Sequence, residues 1–299
     1  MKRAIAFIAV LVIAVAALFF AERHEHKDRV SAGAIVNTAA DWQRDLTRAP
    51  MHVTRLSDTE ETRIGNELAA RYGAEQPLQT PEDQAFDHYV KKVGGRVAAH
   101  AHRKLAFRFH FIPSSGFINA FALPGGHVFI GKGLLDVMTS EDELAFVLAH
   151  EIEHIDHYHP VERVQIEARM RHLNLDVVGA LLQLPMTLWQ VEYTKDEEFE
   201  ADREGLRAAV VAGYSPSGAV KLLERFGQLH EEYVTHSQTP QDELSEVAIE
   251  VLTGYFRSHP LPSERIAQAK SIIASDHLAS HELTPFRIEY EVKSSSEHR

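Results

Sequence analysis

The chain has 299 residues, no cysteine and a formal net charge of −12 at pH 7. The negative charge argues against a nucleic-acid partner, because binding to phosphates depends on clustered Lys and Arg. The absence of cysteine excludes a disulfide framework and a lipidated cysteine within this sequence.

An apolar segment occupies the start of the sequence. Lys2 and Arg3 precede residues 4–21, an uninterrupted apolar run of the length that spans a bilayer or forms a long signal-peptide core. Basic residues before such a run place the N-terminus in the cytoplasm and the remainder outside. We predict an uncleaved membrane anchor at residues 1–21 and a polar tether at residues 22–52, with signal cleavage and release as the alternative.

Helical patterns follow the tether. Ser57 and Glu60 have the spacing of a capping box, which predicts a helix over residues 57–72. Apolar residues at helical spacing predict a second helix at about residues 81–99.

Strand patterns come next. Residues 105–111 alternate apolar and polar side chains, which predicts a half-buried strand, and residues 127–130 form a further strand after a Pro-Gly-Gly turn. We expect both strands in one small sheet. Residues 286–292 also alternate like a strand, but the sequence indicates no neighbour for it.

The strongest chemical signal is the segment His150-Glu151-Ile152-Glu153-His154. Residues four apart share one face of a helix, so the two histidines can offer ring nitrogens to one metal ion. The glutamate after the first histidine can reach a water beside that ion, as zinc-dependent hydrolysis requires. A chance match or an exposed histidine pair is the alternative.

The sequence before this motif favours the metal site. Ser140 and Glu143 have capping-box spacing, which predicts a helix start, and apolar residues recur at helical spacing from there. The motif therefore lies within a helix, where its geometry suits zinc.

A third ligand is expected in a downstream acidic segment. Glu198 and Asp202 are four residues apart, so one helix face can supply both a ligand carboxylate and a partner for a ligand histidine. Glu200 is a rival ligand that points away from this face. A solvated acidic helix start is the alternative interpretation.

Other segments are mostly predicted as helices. Residues 161–171 are amphipathic. Residues 177–189 are apolar but interrupted by Pro185, which argues against a membrane span and favours core packing, with a hydrophobic flap over the cleft as the alternative. Further helices are predicted up to residue 226, after a turn at Gly213, and over residues 264–273.

Several motifs, taken together, resemble the M48 family of zinc metallopeptidases over about residues 55–270, and its single-domain periplasmic bacterial members most. The matching segments are Ile118-Asn-Ala-Phe-Ala-Leu-Pro-Gly-Gly-His-Val-Phe-Ile130, Gly133-Leu-Leu, Glu143-Leu-Ala, the motif at His150, Glu198-x-x-Ala-Asp202 and His259-Pro-Leu-Pro-x-x-Arg265.

The resemblance implies roles for individual residues. His150, His154 and Glu198 would bind one zinc ion per chain, and Glu151 would be the catalytic base. Asp202 would orient a ligand histidine from outside the ligand set.

Two further residues would lie on a loop near the metal. His259 or Arg265 would stabilise the developing oxyanion. Alternatively, His259 would occupy the fourth zinc position and act as a gate, or it would only cap a turn.

Proteases of this kind bind a substrate in extended form along an edge strand, as strand addition allows without a particular side-chain sequence. Asn119 and the backbone of Gly125, Gly126, His127 and Val128 are our candidates for that edge. Asn119 has a turn-capping role as its alternative.

The sequence thus predicts a mainly helical α+β fold with a zincin-like protease domain at residues 53–285 and a C-terminal strand and tail at residues 286–299. We expect a zinc-dependent endopeptidase of the bacterial cell envelope, anchored in the inner membrane with its domain on the periplasmic side. Its substrates would be unfolded or damaged envelope or membrane proteins. A zinc-binding chaperone or scaffold is the rival, and a prenyl-protein protease is disfavoured because only one apolar span is visible.

Overall fold

A computed structural model describes residues 56–73, 78–170, 193–236 and 262–288. All of them belong to one compact unit, Met51–Arg299. The predicted anchor and tether, the apolar segment at residues 177–189 and His259 lie outside the described residues. Among the residues that are described, no helix is long and apolar enough to cross a membrane.

Most of the elements are helices. A small sheet is formed by the chain between the second and the third helix in sequence. The elements are α1 (Asp58–Arg71), α2 (Pro81–Ala98), β1 (Arg108–Ile112), β2 (Ala120–Leu123), β3 (His127–Gly131), α3 (Lys132–Val137), α4 (Glu141–Asp156), α5 (His159–Met170), α6 (Lys195–Val211), α7 (Ser217–His236) and α8 (Pro262–Ser275). The predicted mainly helical α+β arrangement is confirmed.

The sheet has three strands in the order β1-β3-β2. β3 is central: it pairs in parallel with β1 and antiparallel with β2. The prediction that the segments around residues 105–111 and 127–130 share one sheet is confirmed, although β1 begins three residues later than expected. β2 was not predicted, because its four residues are all buried and show no alternation.

Local capping fixes where the site helices begin. Ser57 and Glu60 form the complete predicted capping box of α1. At α4 only half of the predicted box is present: the Ser140 hydroxyl accepts from the Glu143 N–H, whereas the Glu143 carboxylate accepts from the Thr139 N–H at 2.7 Å.

α4 is the central helix of the described fold. All 16 of its residues are buried, and not only those of one apolar stripe. The reason is that α4 contacts α2, α6, α7 and the sheet. The two histidines that it carries, His150 and His154, are therefore buried as well.

Three sequence predictions differ from the structure at the C-terminal side. α7 continues ten residues beyond the predicted end at residue 226, to His236. α8 begins at Pro262, two residues before the predicted start at residue 264. The described part of the predicted last strand, residues 286–288, is not a strand; the neighbouring Pro285 makes only an isolated bridge to Ser140.

Candidate metal centre

Three side chains from two helices converge on one point. His150 and His154 lie one turn apart on α4, with their Nε2 atoms 3.0 Å from each other. Glu198 on α6 places Oε2 3.4 Å from Nε2 of His150 and Oε1 3.6 Å from Nε2 of His154. All three residues are buried, and they form a group whose ligand atoms lie within 4.8 Å of one another.

The donor set fits a zinc ion. Two imidazole nitrogens and one carboxylate leave a coordination position open, as in catalytic zinc sites. Burial lowers the pKa of His150, but hydrogen bonds to Asp202 and Glu198 and their charges outweigh it and raise that pKa to about 10. The field at the point of convergence therefore favours positive charge.

Asp202 orients His150 from the side away from the ligand nitrogen. Its Oδ1 lies 2.9 Å from Nδ1 of His150, which turns Nε2 toward Glu198 and His154. Although burial raises the pKa of the Asp202 carboxyl, the charge and hydrogen bonds of Arg265 outweigh burial and hold it at about 2. Asp202 is therefore an anion, as a carboxylate that orients a ligand imidazole needs to be.

The expectation that Arg265 lies on a loop is wrong. It lies in the first turn of α8 and is 2% exposed. Its Nε and Nη2 donate to the two oxygens of Asp202, each at 2.6 Å, so it acts on the site through that carboxylate. This two-fold pairing orients Asp202 and explains the burial of the guanidinium. His259 lies outside the described residues.

Glu151 lies beside the ligand set and is 2% exposed. Burial raises the pKa of its carboxyl to about 7, and the charge of His150 opposes part of that rise. A carboxyl with such a pKa can take up and release a proton near neutrality.

The second histidine has surroundings that the sequence did not indicate. Nδ1 of His154 lies 2.8 Å from Nδ1 of the buried His159, whose Nε2 lies 3.7 Å from Glu200. The Tyr193 ring stacks on His154, with ring centroids 4.1 Å apart. The Arg163 guanidinium lies over the Tyr193 ring, 3.8 Å from its centroid. Glu200 thus points away from the ligand set, as predicted.

A glycine allows the two ligand-bearing helices to approach closely. A Cβ added to Gly205 on α6 would lie 2.9 Å from the backbone nitrogen of His150 and 3.0 Å from its Cα. Any side chain there would push α6 from α4, so the missing side chain helps place Glu198 and Asp202 beside the histidines.

The prediction that His127 and Val128 lie on an open sheet edge is wrong. His127 and Val128 belong to β3, which is paired on both sides. Gly125 and Gly126 have φ values of 76° and 93° and form a turn against neighbouring backbone; the Gly125 N–H donates to Glu61 at 2.8 Å. The turn packs against the backbone of α1 and is not itself a strand.

Asn119 immediately precedes β2, which is an edge strand of the described sheet. Its side chain is buried, and its Oδ1 accepts a hydrogen bond from the Ala120 N–H at 3.0 Å. Asn119 therefore also fits the alternative role of holding the turn that enters the strand.

Comparison with known proteins gives consistent matches. The beta-barrel assembly-enhancing protease of Escherichia coli is 27% identical over 236 residues, which cover 72% of this chain and 44% of that protein. The protein of the same name from Yersinia pestis is 28% identical over 235 residues, with the same coverage of 72% and 44%. The mitochondrial metalloendopeptidase OMA1 of Schizosaccharomyces pombe is 34% identical over 114 residues, covering 36% of this chain and 34% of that protein.

The chain spans less than half the length of these curated relatives. The sequence profile of Peptidase family M48 matches residues 84–273, which include both ligand-bearing helices and the sheet. This match covers more than half of the 299 residues and confirms the resemblance seen in the sequence. The chain belongs to peptidase family M48.

Proposed function

We propose that the protein is a zinc-dependent endopeptidase that cleaves extended segments of unfolded proteins. The observation that carries the proposal is the convergence of His150, His154 and Glu198 beside the buried Glu151. A zinc ion held by the three ligands would supply a Lewis acid and lower the pKa of a coordinated water.

Glu151 is the proposed acid–base group. Its carboxylate would accept the proton of the attacking water and later donate it to the amine that leaves the cleaved peptide bond. Burial raises the pKa of this carboxyl, which favours its uptake of a proton from the water. A binding protein would need the metal ligands but no such base, which argues against the chaperone or scaffold alternative.

The substrate backbone would pair with β2. This strand pairs with β3 on one side, and no other strand among the described residues occupies its second side. It also contacts α4, the helix that carries both histidines. A peptide added there would present its carbonyl groups beside the metal centre through main-chain hydrogen bonds.

Location and access remain part of the proposal. The apolar residues 4–21 support an inner-membrane anchor with the domain on the periplasmic side of a bacterial envelope, where damaged envelope proteins would be substrates. His259 would act in this site either as a gate or as an oxyanion donor, the two roles that its motif suggests.

Chelation followed by metal replacement tests the proposal. We expect the full chain to cleave reduced, unfolded casein, to lose cleavage when a chelator removes the metal, and to regain it when Zn²⁺ is restored. Persistent cleavage after the metal has been removed, or binding of casein without cleavage at full zinc content, would overturn it. The second result would favour the chaperone alternative.

A further inference from the structure

A second group of metal-ligating side chains lies away from the first. Glu153 and Asp156 on α4 meet His102, which follows α2, and their ligand atoms lie within 4.8 Å of one another. None of these residues belongs to the ligand set at His150 and His154. The same helix therefore carries two groups of donors.

The two carboxylates of this group are buried. Glu153 is 2% exposed and Asp156 is 8% exposed. Within the part of the chain that is described, Oε2 of Glu153 is a buried oxygen without a hydrogen-bond partner. His157 approaches this oxygen at 3.4 Å, but its Nδ1 lies closer, at 3.0 Å, to the backbone oxygen of Glu153.

Asp156 is held in place by backbone donors. The N–H groups of His102 and Arg103 donate to its two oxygens at 2.6 and 3.1 Å. These bonds fix the carboxylate toward the segment that carries His102, whose ring nitrogen Nδ1 lies 3.5 Å from Oδ2. Imidazole and carboxylate groups are both common ligands of divalent metal ions in proteins.

The cations nearby are engaged elsewhere. The Arg103 guanidinium binds Glu61 and Asp58, with three contacts of 2.6 to 3.1 Å. Arg203 pairs with Glu204 at 2.8 Å, so its charge balances that carboxylate. Glu204 itself adds negative charge near Glu153. Among the described residues, no Lys or Arg pairs with Glu153 or Asp156; their basic neighbours are the imidazoles of His157 and His102. Burial of two such carboxylates is costly unless a bound ion or a proton neutralises them.

We propose that His102, Glu153 and Asp156 bind a second divalent cation, of the zinc or manganese class. One imidazole and two carboxylates suit these ions better than Ca²⁺, which takes six to eight oxygen ligands. The His102 side chain is 82% exposed and leaves the group open to solvent on one side. The bound ion would tie the segment after α2 to the C-terminal turn of α4.

Zinc stoichiometry of the full chain tests this site. The protein is stripped with a chelator, dialysed and titrated with Zn²⁺, and zinc per chain is then measured by calorimetry and by elemental analysis. We expect two equivalents for wild type and one for His102→Ala, in which an exposed side chain is removed without disturbing the core. Glu153→Gln, which keeps the shape of the buried side chain, should also bind one equivalent.

Two controls separate this site from the first. His100→Ala removes an exposed histidine two residues away from His102 and should keep both equivalents. Glu198→Ala should lose the first-site ion and keep the second. One equivalent in wild type, or two in His102→Ala, would overturn the proposal and would mean that a proton neutralises the carboxylates. Neither result bears on the proposed peptidase activity, because His102→Ala keeps every residue of the first site.

Discussion

Glu198 and Glu200 are two residues apart on α6, yet their surroundings differ. Glu198 is fully buried between the two ligand histidines, whereas Glu200 is 38% exposed and lies near His157 and His159. The two residues have the same side chain, but their positions on α6 make Glu198 a candidate ligand and turn Glu200 away from the metal site.

Substitution of each glutamate should show this difference. Glu198→Ala removes a ligand, so we expect zinc affinity to fall by more than the 10- to 100-fold typical of outer partners. Glu200→Ala should change affinity by less than about tenfold. Competition with a chromophoric chelator measures both. A larger loss in Glu200→Ala would show that the ligand assignment is wrong.

His159 should matter although it binds no metal. Its ring contacts Nδ1 of His154 at 2.8 Å and so helps to turn the opposite nitrogen toward the site. We expect His159→Ala to lower zinc affinity about 10- to 100-fold. His159→Gln retains a hydrogen-bonding group and should recover part of the loss. Equal affinity in wild type and His159→Ala, measured by the same competition assay, would remove His159 from this role.

The sequence could predict the residues that local spacing brings together. His150, Glu151 and His154 lie on one helix, so their geometry follows from helical periodicity alone. Arg265 was misplaced because its partner Asp202 is 63 residues away, and no local pattern reveals such a pair. The contact of His159 with His154 was missed because it depends on the break between α4 and α5.

At the scale of helices, the distance between α4 and α6 decides whether the ligands can meet. At Gly205 the two helices are so close that an added Cβ would lie 2.9 Å from the His150 backbone nitrogen, which cannot move aside easily. Overpacking of this kind costs about 1–3 kcal/mol.

Gly205→Ala should therefore destabilise the fold by about that amount and weaken zinc binding as α6 moves outward. The matched control is Gly95→Ala on α2, where a Cβ would meet no atom within 4 Å. There we expect unchanged zinc affinity and a gain of up to about 1 kcal/mol from helix propensity. Thermal unfolding and zinc competition test both variants, and an unaffected Gly205→Ala would contradict this account of the helix contact.

Strand predictions show why elements differ in predictability. β1 alternates and was recognised, whereas β2 is apolar at every position and resembles any short buried segment. The order of strands cannot be read from either pattern, since it depends on contacts between segments. In the observed order β2, and not β3, is an edge strand and the candidate for substrate pairing.

At the scale of the whole molecule, the buried helix α4 is part of the core and also carries the side chains of the metal centre. Its His150 and His154 face α6, and its Glu153 and Asp156 meet the segment after α2. The mainly helical α+β class followed from the alternation of helical and strand patterns. The position of the domain relative to a membrane stays a prediction, because residues 1–55 lie outside the described part of the chain.

The central claim is that a metal held by His150, His154 and Glu198 works with Glu151 as base, and Glu151→Gln tests it most directly. The change keeps the ligands, so zinc bound at this site should equal that of wild type, while cleavage of unfolded casein should fall by about 10²- to 10⁴-fold. Glu153→Gln, which alters the other glutamate of the motif, should retain cleavage. Cleavage at the wild-type rate by Glu151→Gln with this zinc site filled would contradict the account.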